Sequence, residues 1–177
     1  HFVKNDDLPL DGIVAIGRFT QEEIEDFHCY TDNVVFLDST PDEEKYCSIV
    51  PNYHLAVRQT LDCFWKHGYE KIAYLGSVYT FGAKQLSVDP RFYYYKNSLL
   101  ERGTYDETLV LDCEMNSASS YAVMKEYLEQ ENPLPDAIFA ASDVVAPGLL
   151  KALREYRIDV PDRLGIITFN NTSLSQL

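Results

Sequence analysis

Short apolar runs alternate along this chain with longer segments whose apolar residues recur at helical spacing. The runs at 12–17, 34–37, 48–50, 71–75, 108–111, 137–140 and 164–169 read as strands. Most end abruptly in Gly, Asp, Ser or Asn. Between them, Thr20-Gln21-Glu22-Glu23 has the form of a capping box, in which the Thr hydroxyl accepts from the Glu23 amide and the Glu carboxylate reaches back; it predicts a short helix to about Phe27. A helix is expected over 53–67, with Ala56, Thr60, Leu61 and Phe64 on one face and Gly68 as a left-handed stop. Further helices are expected over 91–102, closed by Gly103, and from Ser117, with Tyr121, Met124 and Leu128 on one face and Pro133 and Pro135 ending it. The last spans 144–156 and turns Ala146, Leu149, Leu150 and Leu153 to the sheet, with Pro147 tolerated in its first turn.

Strands that alternate with helices through short connections make parallel strands with helices on both faces, so the expected fold is α/β with a doubly wound parallel sheet. In such sheets ligands bind outside the carboxyl ends of the strands. The polar residues that close the apolar runs therefore gather at the edge where a ligand belongs. The longest irregular segment, 77–90, follows a strand and is expected at that edge as a mobile loop.

Asp38 follows the second strand, Arg91 opens the helix after the long loop, Glu114 and Met115 follow the 108–111 strand, Ser142 and Asp143 follow 137–140, and Asn170 and Asn171 follow the last strand. None is spaced as a nucleophile and base. Arg, Asn, Asp and Ser are the groups that hydrogen-bond sugar hydroxyls, and a planar guanidinium fork can bridge two vicinal ones. Aromatic or Met side chains pack on the apolar face of a sugar ring. The set reads as a binding site for a small molecule. Each member also has a plainer reading: Asp38 as a turn cap, Arg91 as a solvated first-turn residue, Asn170 and Asn171 as a turn, Met115 as core, and Asp143 first of all as the N-cap of the following helix. Tyr93, Tyr94 and Tyr95 read as helix packing and surface.

Composition narrows the function. The 177 residues carry 28 acidic against 15 basic side chains, a formal net charge of -13, which argues against nucleic-acid binding by this segment alone. No apolar stretch reaches the roughly 18 residues of a membrane span, and no signal-peptide pattern is present. The cysteines at 29, 47, 63 and 113 form no C-x-x-C pair and read as reduced thiols of a cytosolic protein. His1, His28, His54 and His67 have no metal-ligand spacing, so no metal and no cofactor are expected. A G-x-S-x-G elbow, a P-loop, G-x-G-x-x-G and H-E-x-x-H are all absent, which leaves no recognisable enzyme motif.

The order of these features resembles the LacI/GalR family of bacterial sugar-responsive repressors. Asp11-Gly12-Ile13-Val14-Ala15-Ile16 is similar to that family's "DGIIxx" strand, and Phe36-Leu37-Asp38 to its "hhD" strand end. His67 to Gly76 resembles "xGHxxIAhhxG" with Tyr69 in the place of His, and Asp89-Pro90-Arg91 with Tyr95 resembles "DxRxxxF". Asp143 to Leu153 follows "DxxAxGxLxAL", and Val160-Pro161-Asp162 to Asn171 follows "VPxDhxhhGFDD", with Thr168 for Gly and two Asn for two acids. Asn52 to Ala56 departs from the family's D-N-x-x-G.

The resemblance implies a periplasmic-binding-protein-like effector domain with one lobe largely complete and the other truncated: residues 1–49 as a remnant of the N-terminal lobe, 50–177 as the C-terminal lobe, and no DNA-binding helix-turn-helix in this chain. It implies effector contacts from Arg91, Asn170, Ser142, Met115 and, from the other lobe, Asp38, with Asp143 and Asn171 as further ligand groups or caps. Asn for Asp at 170 keeps an acceptor and loses a charge, and Met115 stands where an aromatic often covers the sugar. The implied partners are a sugar, galactose-like by resemblance to the GalR branch, a second subunit in a homodimer, and operator DNA reached only through the missing domain. The implied location is the cytoplasm. The competing reading is a periplasmic sugar-binding protein of a transport system, which shares the architecture; a sugar-processing α/β enzyme would need an acid–base pair drawn from Asp38, Glu114 and Asp143.

Overall fold

The apolar runs fold into two parallel sheets. The structure is a computed structural model and describes residues 10–81 and 86–176; His1 and the tip of the 77–90 segment lie outside them. Among the described residues, those up to Asn52 and those within Thr80–Ser87 form one compact unit, and those of Tyr53–Tyr79 and Val88–Leu177 form another.

In the smaller unit, strands β1 (Ile13–Ile16), β2 (Val34–Leu37) and β3 (Cys47–Ile49) lie side by side in parallel. Helix α1 (Gln21–Phe27) follows β1 and begins with the expected capping box: Thr20 Oγ1 accepts from Glu23 N at 3.2 Å, and Glu23 Oε2 accepts from Thr20 N at 2.7 Å. Ile24 and Phe27, three residues apart on one helical face, pack with Ile13, Ala15, Val34 and Phe36 from one face of the sheet. The opposite face is apolar too. The register aligns Val14 with Val35 and Ile16 with Leu37 and then Ile49, and of these Val14, Ile16 and Ile49 are exposed.

The larger unit is built around a four-stranded parallel sheet in the order β7-β4-β8-β9, from β4 (Ile72–Gly76), β7 (Val110–Asp112), β8 (Ala137–Ala140) and β9 (Gly165–Thr168). Every residue of β4 and β8 is buried, as strands covered on both faces require. Alternate residues supply two separate cores. Ala73, Leu75, Ile138 and Ala140 meet Met124 and Tyr127 of α4 (Ser117–Glu129) and Leu149, Ala152 and Leu153 of α5 (Ala146–Glu155). Ile72, Tyr74, Ala137 and Phe139 meet Val57, Leu61 and Phe64 of α2 (Tyr53–Lys66) and Phe92, Tyr95 and Leu99 of α3 (Pro90–Arg102). The doubly wound expectation is therefore met, with α4 and α5 on one face and α2 and α3 on the other.

Three local expectations need correction. The 77–90 segment is not wholly irregular: β5 (Tyr79–Phe81) and β6 (Leu86–Val88) pair within it. The strand expected from Thr108 starts later, at Val110, because the Asp106 carboxylate accepts from Thr108 N and Oγ1 and winds Glu107–Leu109 into a 3-10 turn. Helix α5 starts at Ala146, not 144, and its N-cap position is Val145, with no side-chain cap bond. Asp143 is thus not the N-cap of that helix. No helix among the described residues is long and apolar enough to cross a membrane.

Candidate functional site

The larger sheet has its switch point between β4 and β8. The chain leaves the carboxyl end of β4 towards α3 on one face, and leaves β8 towards α5 on the other. Outside these two strand ends the connections diverge, and that is the usual ligand position in this architecture. The two strand ends touch closely. Gly76 adopts φ +155°, and a Cβ there would lie 2.4 Å from that of Ala141.

Arg91 reaches this edge from the start of α3. Asp89, the N-cap residue of that helix, accepts from Arg91 N at 2.9 Å and is itself only 2% exposed. Its two carboxylate oxygens also take Arg91 Nε at 2.9 Å and Nη2 at 2.6 Å. Arg91 Nη1 donates to the carbonyl of Ala141, at the end of β8, at 2.8 Å. Burial opposes the guanidinium charge, and the paired carboxylate more than restores it, so its pKa is shifted upward from the ordinary value. The guanidinium carbon also stands 5.8 Å from the Phe169 ring centroid.

Next to Ala141 is Ser142, buried at 4% exposure, and its Oγ accepts from Asn170 Nδ2 at 3.1 Å. Asn170 and Asn171 follow β9 with φ 96° and 50°, the left-handed region that Asn tolerates best among residues with side chains. The turn carries the exposed Asn170 amide back to β8. Phe169 stacks on Tyr53 from the start of α2, with centroids 5.8 Å apart and planes 22° from parallel. After β7, the half-buried Met115 packs against both cores of the unit, and its sulfur accepts from Ser77 N at 3.4 Å. The larger unit thus offers a guanidinium, a hydroxyl, an amide and an aromatic pair at one sheet edge.

Residues 61–177 match the family model described as a periplasmic binding protein-like domain. The chain belongs to that family. It is 33% identical to the HTH-type transcriptional regulator GalR of Streptococcus thermophilus, over 93% of this chain and 50% of that protein. It is 32% identical to the HTH-type transcriptional repressor MelR of Bacillus subtilis, over 91% of this chain and 47% of that protein. Among solved structures it resembles a complex of the transcriptional regulator CelR with cellobiose, with a TM-score of 0.75 and 23% identity over 94% of this chain and 51% of that one. These relatives are regulators of the LacI/GalR type, and the chain spans about half the length of the curated relatives it matches.

Within the periplasmic binding protein-like fold, the sequence-expected residues fall as follows. Arg91, Ser142 and Asn170 come together at the carboxyl edge of the larger sheet. Met115 lies after β7 at the same edge. Asp38 belongs to the smaller unit, where it follows β2 with φ 65° and donates its N–H to the carbonyl of Ile49 at 2.9 Å. Asn171 is exposed. Asp143 is fully buried: one carboxylate oxygen accepts from Thr168 Oγ1, the other from Thr172 N at 2.5 Å. That carboxylate ties β8 to the turn after β9.

Asp89 occupies the Nε–Nη2 edge of the Arg91 guanidinium, which leaves one N–H on each of Nη1 and Nη2. The sequence pattern does not mark Asp89, Tyr53 and Phe169 as site residues. An Asp directly before Pro at a helix start is a pattern that could have marked Asp89 as a cap; its return to Arg91 has no mark in the local pattern. Tyr53 and Phe169 read only as a helix start and a strand residue, because their stacking is a long-range contact.

Proposed function

We propose that this chain is the sugar-sensing, effector-binding part of a bacterial transcriptional regulator of carbohydrate genes, and that it is not an enzyme. The observation that carries this reading is the Arg91–Ala141 carbonyl bond beside the Asn170–Ser142 pair, which sets directional donors and acceptors at the strand ends where ligands of such sheets bind. The stacked Tyr53 and Phe169 add apolar area of the kind that packs on a sugar ring. Arg91, Ser142, Asn170 and Met115 are the proposed contacts within 50–177, Asp38 the proposed contact from the 1–49 lobe, and Asn171 an accessory group. In this reading the protein works in the cytoplasm as a homodimer, a galactose-like sugar shifts the balance between two lobe arrangements, and a helix-turn-helix outside residues 1–177 reads the operator.

The relatives favour this reading over a transport sugar-binding protein, since those cited are transcriptional regulators. The test is operator release by the protein encoded by the complete gene, measured against a panel of sugars. Release by one sugar, abolished by Arg91→Ala, is the expected result. Operator binding indifferent to the whole panel, with no sugar detected by calorimetry, refutes it.

A further inference from the structure

Asp89 and Arg91 form a pair with unequal exposure. Asp89 is 2% exposed and gives both oxygens to one guanidinium, while the Arg91 side chain keeps 15% exposure at the strand-end edge, where it bonds the Ala141 carbonyl. Of five guanidinium N–H groups, the bonds to Asp89 and to the Ala141 carbonyl use three. The remaining two sit on Nη1 and Nη2. Of the two edges that match a carboxylate or phosphate in bidentate fashion, Nε with Nη2 is already filled by a carboxylate, and Nη1 of the other already donates to the Ala141 carbonyl.

Among the described residues of the larger unit, Arg91 is the one basic side chain on the segments that leave the carboxyl ends of its strands. Asp112, Glu114 and Asp143 stand at or just beyond those same strand ends. An anion placed there would meet a guanidinium whose charge is cancelled and several carboxylates that are not. A hydroxyl needs no net charge, only directional donors and acceptors, and those remain.

We propose that Asp89 sets the charge selectivity of this site: by cancelling the charge of Arg91 and occupying its Nε–Nη2 edge, it makes the site accept an uncharged, hydroxyl-bearing ligand and refuse the phosphorylated form of the same sugar. This rests on the sugar-binding reading above, and names the ligand class within it. Asp89 acts through Arg91 and is a positioning residue.

The substitution that tests this is Asp89→Asn. Asn is as good an N-cap as Asp, so the acceptor for Arg91 N is retained while the charge is removed. Two titrations are run on the wild type and on the variant. The first uses matched pairs, galactose with galactose 6-phosphate and glucose with glucose 6-phosphate. The second uses inorganic phosphate alone, followed by calorimetry and by the Arg91 Nε–H resonance.

The wild type is expected to bind a neutral member and to bind its phosphorylated partner at least about tenfold more weakly, and to show no phosphate response. Asp89→Asn is expected to gain phosphate affinity by about tenfold or more, the worth of a charge-assisted hydrogen bond, and to lose the gain again in Asp89→Asn/Arg91→Gln. A merely structural role would weaken all ligands together and create no phosphate site. A phosphorylated sugar bound by the wild type as tightly as the neutral one, or phosphate bound by the wild type at Arg91, overturns the proposal. If no sugar of either kind binds, the sugar-binding reading fails, while the phosphate titrations still decide the role of Asp89. If Asp89→Asn does not fold, the wild-type pairs and the wild-type phosphate titration decide it.

Discussion

Gly76 and Ala141 meet where β4 and β8 end: a Cβ at residue 76 would stand 2.4 Å from the Cβ of Ala141. The neighbour is a methyl fixed to a fully buried backbone, so it cannot swing away as a long side chain could. The φ of +155° adds backbone strain for any residue with a side chain. Gly76→Ala is therefore expected to cost about 1–3 kcal/mol, as overpacking does, and to push apart the strand ends that hold Ala141 against Arg91. Urea unfolding measures the first effect. The second shows as a weaker sugar response under conditions where the variant is fully folded. A variant as stable as the wild type contradicts the close approach.

The smaller sheet gives a contrast between its two faces. Phe36 is fully buried beneath α1, among Phe19, Phe27 and Tyr46, whereas Ile16 is 70% exposed on the other face. Phe36→Ala should cost about 3–5 kcal/mol by transfer and cavity. Ile16→Thr keeps a β-branched side chain on a strand and should change stability by about 0.5 kcal/mol or less. Paired denaturant melts check this, and equal costs at the two positions would mean that the exposed face is covered.

Much of this architecture was written in the spacing of apolar residues. The runs at 34–37 and 137–140 have sharp polar or small-residue edges and form strands with those limits. The runs with less abrupt edges shifted by a residue or two. At 108, a local side-chain bond from Asp106 outweighed strand propensity, and periodicity cannot register such competition. Paired strands as short as β5 and β6 carry too few alternations to stand out within 77–90. The site was legible to the extent that strand ends identify an edge. The state of each group at that edge was not, because it is set by partners remote in sequence: Ala141 for Arg91, Ser142 for Asn170, and Thr168 and Thr172 for Asp143.

The four cysteines should separate by reactivity. Cys29, Cys47 and Cys63 are exposed, and Cys113 is buried just beyond β7. Burial, helped by the Asp112 carboxylate, pushes the Cys113 thiol up to about 11. The thiolate is the reactive form, so at pH 8 Cys113 is protected both by access and by protonation. Iodoacetamide is expected to label three cysteines of the folded chain and the fourth only in denaturant. Mass spectrometry of tryptic peptides reads this directly, and prompt labelling of Cys113 would show that the end of β7 opens.

Asp143 supplies a pH-dependent clamp. Burial alone would raise its pKa, but the bonds from the Thr168 hydroxyl and from Thr172 outweigh it, and the net shift is downward from the ordinary aspartate value. A carboxylate whose folded pKa is depressed stabilises the fold above its unfolded pKa, near about 3.9, and that contribution disappears as pH falls through the lower folded value. Asp143→Asn removes the charge and puts an N–H₂ group where one of two acceptors stood. At pH 7 the variant should be less stable by about 1–3 kcal/mol, the range for a buried polar group left without its partner. Below about pH 4 the gap between the two proteins should shrink, because the wild type is then losing the same interaction. Urea midpoints at pH 7, 5 and 3.5 provide the measurement. A gap that stays constant or widens on acidification would falsify the assignment of the Asp143 clamp as an ionised acceptor of Thr168 and Thr172.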